Sequence, residues 1–315
     1  MLTGSGEKGS FMKEPLLVLD VPYLCHRAYH AMGGLVYDDA GTGAIFGVLR
    51  DIVALQDSFR TGRCVFAFDL GLGLRRKILP TYKNSRRTRY REAPEEEQAA
   101  RRDFHGQVRL LREEYLPAAG FRNVFAAKGF EADDIIASVV AELPQDEQAI
   151  IVGSDQDLWQ CLRPNVWCWN PQKRKAYTIE LFQAAWGLEP EQWADVKAYA
   201  GCSTDDVPGV PGVGETTAAK WLRGELGEHT KAARKLDADA ARDVYERNIE
   251  LVRLPFLGTP TFALRQDDVT EEQWQDLADR LGMKSIRTAV PWSVGRKSRG
   301  RKRGKQTERE EGFGL

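Results

Sequence analysis

The chain has 315 residues, 42% of them hydrophobic and 29% charged, with 45 Lys and Arg against 46 Asp and Glu. That composition excludes whole-chain disorder and collagen-like repeats, and no apolar run reaches the roughly 18 residues that a membrane-crossing helix needs. The net charge of −1 hides a split: Arg75 to Arg91 holds eight bases and no acid, Arg296 to Lys305 holds seven more, and the rest of the chain is acidic. Acids gathered at a metal site and bases gathered on a polyanion produce such a split. The five cysteines, Cys25, Cys64, Cys161, Cys168 and Cys202, are odd in number and lack zinc-ligand spacing, which fits a reducing compartment. With no apolar core near the N-terminus to act as a secretory signal, the expectation is a soluble cytoplasmic protein.

Residues 1–13 are Gly/Ser-rich and read as a flexible tail. Leu16 to Leu19 is a buried strand ending in Asp20, and Gly43 to Phe59 carries Val48, Ile52, Leu55 and Phe59 at helical spacing. Cys64 to Phe68 is a second buried strand ending in Asp69. The stretch from Gly71 to Pro94, basic and poor in apolar periodicity, reads as a long loop or mobile arch. Glu95 to Tyr115 is a helix with Phe104, Val108, Leu111 and Tyr115 on one stripe. A short strand is expected over 123–126, a helix over 131–143, a buried strand over 149–152 and two edge strands over 166–169 and 176–179. From Leu181 the pattern stays helical, and 293–315 is a low-complexity, disordered basic tail. Strands alternating with helices, then helices alone, indicate an α/β fold with a mostly parallel central sheet flanked by helices, followed by a helical subdomain.

Chemistry concentrates at the strand ends. Asp20 and Asp69 follow apolar strands directly, and Asp155 follows another within Gly153-Ser154-Asp155-Gln156-Asp157. Each alone reads as a cap or turn residue. Three together at the carboxyl ends of parallel strands form a ligand-binding edge. Glu131, Asp133 and Asp134 open a helix in Gly129-Phe130-Glu131-Ala132-Asp133-Asp134, and Asp157 and Asp205 extend the set to eight carboxylates. Eight such charges in one cleft repel, and divalent cations relieve them. All-oxygen ligation selects Mg²⁺ or Mn²⁺, and two such ions about 3.5–4 Å apart clamp a phosphodiester displacement. His26, His30, His105 and His229 show no paired metal spacing.

Arg75, Arg76, Tyr82, Lys83, Arg86 and Arg87 mix cations with an aromatic, which suits a single strand of nucleic acid. Pro208 to Leu222 reads as a helix-hairpin-helix: Gly209, Gly212 and Gly214 allow a sharp turn and close approach, and the next helix, with Thr216 and Lys220, aims N–H groups at an anion. This is a sequence-independent grip on a duplex backbone.

Taken in order, these motifs resemble the 5′-nuclease family, which includes flap endonucleases, phage 5′-3′ exonucleases and the N-terminal nuclease domain of bacterial DNA polymerase I. The resemblance runs from about Leu16 to Leu254. Its carriers include Leu17-Val18-Leu19-Asp20, Tyr29-His30-Ala31, Thr42 to Leu49, Phe66-Ala67-Phe68-Asp69, Tyr82 to Arg86, Gly129 to Asp134, Gly153 to Asp157, and Asp205 to Gly214. It implies a PIN-like nuclease core over 14–180 with an arch at about 74–112. A helical subdomain over 181–292 would carry the hairpin at about 201–222.

The resemblance also implies two Mg²⁺ sites, with Mn²⁺ able to substitute. Asp20, Asp69, Glu131, Asp133 and Asp134 would serve the first, directly or through water, and Asp155, Asp157 and Asp205 the second. Lys83 and Arg86 would contact the scissile phosphate, Arg75, Arg76 and Tyr82 would guide the strand, and the hairpin would hold duplex and K⁺. The implied activity is 5′-3′ exonucleolytic and flap-endonucleolytic hydrolysis of DNA with 5′ single-stranded ends, flaps or nicks, and of an RNA strand on DNA. Products would carry 5′-phosphate and 3′-hydroxyl. A monomer in a bacterial cell or phage-infected host is expected. One departure stands out: where the family pattern has Gly-Asp-x-Ser-Asp-Asn, this chain reads Gly201-Cys202-Ser203-Thr204-Asp205-Asp206. Cys202 takes the place of a second-site carboxylate, so weaker binding of the second ion, greater tolerance for Mn²⁺ or a lower flap-endonuclease rate is expected, with a catalytically weakened branched-DNA-binding protein as the alternative.

Overall fold

The computed structural model describes residues 13–292 and Val294. The tails expected over 1–13 and 293–315 therefore lie, Lys13 and Val294 apart, outside the described residues. In chain order the elements are β1 (Leu16–Asp20), α1 (Val21–Met32), β2 (Val36–Tyr37), β3 (Ala40–Gly41), α2 (Gly43–Phe59) and β4 (Cys64–Phe68). Next come α3 (Arg75–Ile78), α4 (Asn84–Glu92), α5 (Glu95–Leu110), α6 (Leu116–Ala118), β5 (Val124–Ala126), α7 (Ala132–Ala141), β6 (Ala149–Val152), β7 (Val166–Asn170) and β8 (Lys175–Tyr177). The remainder is α8 (Ile179–Trp186), α9 (Trp193–Ala200), β9 (Gly201–Cys202), β10 (Val207–Pro208), α10 (Glu215–Leu222), α11 (Lys231–Leu236), α12 (Asp239–Val252), α13 (Glu271–Arg280) and α14 (Lys284–Thr288). Among the described residues no helix is long and apolar enough to cross a membrane.

The main sheet has the order β5-β4-β1-β6-β7-β8, parallel throughout except for the β7–β8 pair. Every residue of β1, β4 and β6 is buried, as interior strands covered on both faces must be. Alternation along the strands sends Leu17, Leu19, Phe66 and Phe68 to the face covered by α1 and α2. Leu16, Val18, Val65 and Ala67 face the other way, onto Ile135 and Ile136 of α7 and, in the same cluster, Trp193 and Val196 of α9. This is the mostly parallel α/β architecture that the sequence indicates. Helices α1 and α2 meet at Gly47, where a Cβ would sit 2.3 Å from that of Ala28.

The short strands β2, β3, β9 and β10 are additions to the sequence reading, the last two interrupting the stretch read as helical from Leu181, and three further segments depart from it. Helix α1 is an addition to it, although Asp20 caps the helix, Pro22 opens it, and Val21, Leu24, Cys25 and Ala28 form a buried stripe. The loop or arch expected over 71–94 contains α3 and α4; α4 buries no residue, so no apolar stripe marks it. The segment 271–288, grouped by sequence with the helical subdomain, instead packs Trp274, Leu277 and Ile286 into the cluster around α2.

Strands β4, β1 and β6 are neighbours and parallel, so their carboxyl ends share one edge. That edge is where an open parallel sheet presents its ligand site.

Candidate metal centre and nucleic-acid interface

Asp20 is the last residue of β1, and its Oδ1 accepts the Tyr23 N–H at 3.0 Å, capping α1. Asp69 follows β4, and its Oδ1 accepts the Ala132 N–H at 2.7 Å at the start of α7. Asp155 follows β6, and its Oδ1 accepts the Asp157 N–H at 2.8 Å. Asp133 stands in the first turn of α7. Each cap uses one carboxylate oxygen and leaves the other. Burial pushes Asp20 up to about 7, with Asp69 and Asp155 adding repulsion. Burial, then Asp155, Asp20 and Glu131, hold Asp133 well above the usual carboxylate range. Asp69 is raised by burial and by Glu131, despite its Ala132 bond. Among the described residues no ion pair reaches these four carboxylates.

The neighbouring acids are paired instead. Asp134 is fully buried; Arg75 grips it with two bonds of 2.6 and 2.8 Å, and it accepts the N–H groups of Glu131 and Phe256, each at 3.0 Å. Glu131 caps α7 reciprocally with Asp134 and accepts from Lys83 Nζ and, at 2.9 Å, from the Tyr82 hydroxyl. Burial alone would raise Glu131, but the Lys83 and Arg75 charges outweigh it and hold the carboxyl below its ordinary value. Asp205 accepts from Arg86 at 2.9 Å and lies 3.6 Å from Lys83 Nζ; burial nonetheless leaves its pKa raised. Lys83 itself sits at φ 51°, its N–H bonded to the Asp205 carbonyl at 2.9 Å. A non-glycine residue held in the left-handed region marks a place where the surroundings dictate side-chain direction, and here that direction is into the acids.

A third group surrounds Asp157, Cys202 and Asp205, each of which offers a ligand atom within 4.8 Å of the others. Asp157 Oδ1 is buried and accepts no hydrogen bond of proper geometry, although Lys197 Nζ stands 3.1 Å away. Burial and Asp155 push Asp157 up to about 6 against the pull of Lys197. Burial and Asp205 raise the Cys202 thiol. Asp206 turns away and accepts the Ser85 N–H at 2.7 Å, so it does not fill the place left by the missing carboxylate. The unpaired, crowded carboxylates fit a divalent cation; among these donors the Cys202 sulfur alone departs from the hard-oxygen set.

On the nucleic-acid side, Arg86, Gly212, Gly214, Thr216 and Lys220 are exposed. Gly209 and Gly201 lie back to back: a Cβ on Gly209 would fall 2.1 Å from the Ala200 carbonyl oxygen, so only glycine lets the turn close on the end of α9. Lys197 of α9 also lies 2.9 Å from Glu215 in the first turn of α10, tying the hairpin to the acidic cleft. Arg75 and Tyr82, expected along the strand path, are instead 3% exposed and turned inward onto Asp134 and Glu131. The guanidinium of Arg76 is half-buried and donates to the Tyr82 carbonyl at 3.0 Å.

Residues 15–187 match the family described as 5′-3′ exonuclease, N-terminal resolvase-like domain. The chain belongs to this 5′-3′ exonuclease family. DNA polymerase I of Bacillus caldotenax is 29% identical over 275 residues, which cover 85% of this chain and 30% of that protein, so the chain spans under a third of this relative. A 5′-3′ exonuclease of Buchnera aphidicola is 29% identical over 214 residues, covering 67% of this chain and 70% of the relative. The structure of T5 5′-exonuclease with bound zinc shares the fold, with a TM-score of 0.66, 22% identity, and coverage of 86% of this chain and 98% of that one.

Within this member of the family, the eight acids named from sequence adjoin one another, but they divide. Asp134 is committed to Arg75 and to two backbone N–H groups, so its lone pairs serve the fold; it is corrected from ligand to structural partner. Arg75 and Tyr82 are corrected likewise, from strand guides to buried supports of Asp134 and Glu131. Lys197 is the polar residue that sequence reasoning missed. Its signal is a lysine on the buried face of α9, beside Trp193, Val196 and Ala198.

Proposed function

We propose that the chain is a divalent-metal-dependent 5′-3′ exonuclease and flap endonuclease that hydrolyses DNA phosphodiesters, leaving 5′-phosphate and 3′-hydroxyl ends. The observation carrying this reading is the meeting of Asp20, Asp69, Asp133 and Asp155, without ion-pair partners, at one sheet edge beside Lys83 and Arg86. Asp20, Asp69, Asp133 and Glu131 would hold a first Mg²⁺, and Asp155, Asp157 and Asp205 a second ion. Bound there, such ions supply Lewis-acid charge to the phosphate and to the attacking water. The chain's own cations do the rest. Lys83 and Arg86, now spent on Glu131 and Asp205, are placed to exchange those partners for a phosphate and to align it. The solvent-facing bases of α4 offer a path to a single-stranded 5′ end, and the turn Gly209–Gly214 with Thr216 and Lys220 a grip on duplex, with K⁺ on backbone carbonyls. An RNA strand annealed to DNA is a second substrate in this reading, and a monomer suffices for it.

Cys202 favours one rival, a protein of the same fold that binds branched DNA and cleaves it poorly. A labelled 5′-flap duplex incubated with Mg²⁺, with Mn²⁺ and with chelator separates the two. Cleavage that needs a metal supports the nuclease; binding without cleavage under both metals supports the rival.

A further inference from the structure

We propose that Asp206 is a positioning residue for cleavage: its carboxylate, reaching across from the β9–β10 turn, caps helix α4 and so holds Lys83 and Arg86 towards the acidic cleft. This deepens the nuclease reading and rests on it for the roles of those two cations.

Helix α4 is poorly equipped to start by itself. It spans the nine residues Asn84–Glu92, buries none of them, and has no acid in its first turn. Arg86 and Arg87 stand there instead, and their charge opposes the helix dipole. Lys83, at the capping position, makes no side-chain cap bond and holds left-handed backbone at φ 51°. A short helix without an apolar face is marginal in water, so a partner from elsewhere in the fold has to supply what the local sequence withholds. Asp206 Oδ2 accepts the Ser85 N–H, the second of the helix, at 2.7 Å. It brings to that terminus both an acceptor and the negative charge that suits the dipole and the two arginines.

Two further bonds give the contact a direction. The Lys83 N–H donates to the Asp205 carbonyl at 2.9 Å, and Arg86 Nη2 donates to Asp205 Oδ1 at 2.9 Å. Residues 83–86 are thereby pinned to two successive aspartates, with Lys83 Nζ meeting Glu131. The turn that pins them is itself fixed. Cys202 pairs with Val207, and the buried Asn248 of α12 donates to the carbonyls of Ala198 at 2.9 Å and Pro208 at 3.0 Å. Asp206 sits at φ 56°, left-handed backbone that Asp and Asn tolerate and most other side chains resist. The residue type thus meets two demands, the tight turn and the helix cap.

The test compares Asp206→Gly with Asp206→Asn by amide hydrogen exchange and by single-turnover cleavage of a 5′-flap duplex. Glycine keeps the left-handed backbone without strain and removes the acceptor, whereas asparagine keeps both. In Asp206→Gly the peptide covering residues 84–90 should exchange faster, and the cleavage rate at saturating DNA should fall about 10-fold while the Kd for the flap changes less than about twofold. Asp206→Asn should return the exchange to that of the parent and the rate to within about threefold of it. In a Lys83→Ala, Arg86→Ala background, Asp206→Gly should cost less than about twofold in rate, because the groups it positions are gone. Parental exchange over 84–90 in Asp206→Gly, an equal loss of rate in Asp206→Asn, or an undiminished loss in the Lys83→Ala, Arg86→Ala background overturns the proposal. A parent that cleaves flaps under no metal refutes the nuclease reading and the proposal with it, whereas a cleaving parent matched in rate by Asp206→Gly refutes the proposal alone.

Discussion

Two halves of one acidic cleft treat their carboxylates in opposite ways. Asp20, Asp69 and Asp133 crowd together with their pKa values raised and no ion pair, Asp20 to about 7. A few residues away Glu131 is pulled below its ordinary value and Asp134 is locked by Arg75. The residue types are the same and burial is similar, so the difference lies in the cations supplied. Where the fold provides Arg75, Asp134 is structural and satisfied, and where it provides Lys83, Glu131 is held ionised until that lysine exchanges it for a phosphate. Where it withholds them, the acids store repulsion that only an added cation relieves. Unrelieved charge next to satisfied charge is how a protein reserves a place for a metal.

Removing a carboxylate from the unpaired half breaks this contrast most severely. Asp133→Asn should lower flap cleavage by on the order of 10³-fold while DNA binding persists; single-turnover cleavage beside a binding titration checks it, and unchanged turnover would remove Asp133 from the metal centre. In the paired half the loss should fall on folding instead. Arg75→Ala strands Asp134 in the interior and should cost roughly 3–5 kcal/mol in urea unfolding, whereas Arg76→Ala, half-buried and bonded to one carbonyl, should cost less than about 1 kcal/mol. Equal losses from the two would refute the buried support role. Lys83→Ala should reduce turnover about 10²-fold with little change in duplex affinity; a matching fall in affinity would make Lys83 a simple anchor.

A gradual effect is expected of pH on the metal-free protein. The folded pKa of Asp20 lies above its unfolded value, so between about 4 and 7 the native state binds more protons than the unfolded one. Stability should therefore fall as pH rises through that window and level off above it. Thermal melts with chelator should show Asp20→Asn gaining on the parent as pH rises from 4 to 8. A gap that narrows instead would contradict the raised pKa.

Much of the site was legible in the sequence because parallel strands obey a simple rule. Asp20, Asp69 and Asp155 each follow an apolar run, and adjacency of β4, β1 and β6 then brings them to one edge. What sequence could not show is which acids the fold satisfies. Asp133 and Asp134 are neighbours in the chain, yet helical geometry turns the first towards Asp20 and Asp155 and the second towards Arg75 and Phe256. Arg75 and Tyr82 sit in a segment whose polarity resembles a solvated loop; the burial of Arg75 depends on α12 and the Phe256 segment, more than 170 residues further on, and that of Tyr82 on Ala198, Val207, Leu251 and Val252. Lys197 escaped notice because nothing local distinguishes a lysine that snorkels from one that pairs. Helix α4 was invisible for a related reason: a helix without an apolar stripe carries no period to read.

Calorimetric titration of Mg²⁺ into the chelator-treated, dialysed protein bears most directly on the claim that the unpaired carboxylates form one cation site. Saturable binding in the parent, lost in Asp133→Asn and retained in Arg76→Ala, is the expected result. No binding in the parent, or undiminished binding in Asp133→Asn, would contradict it.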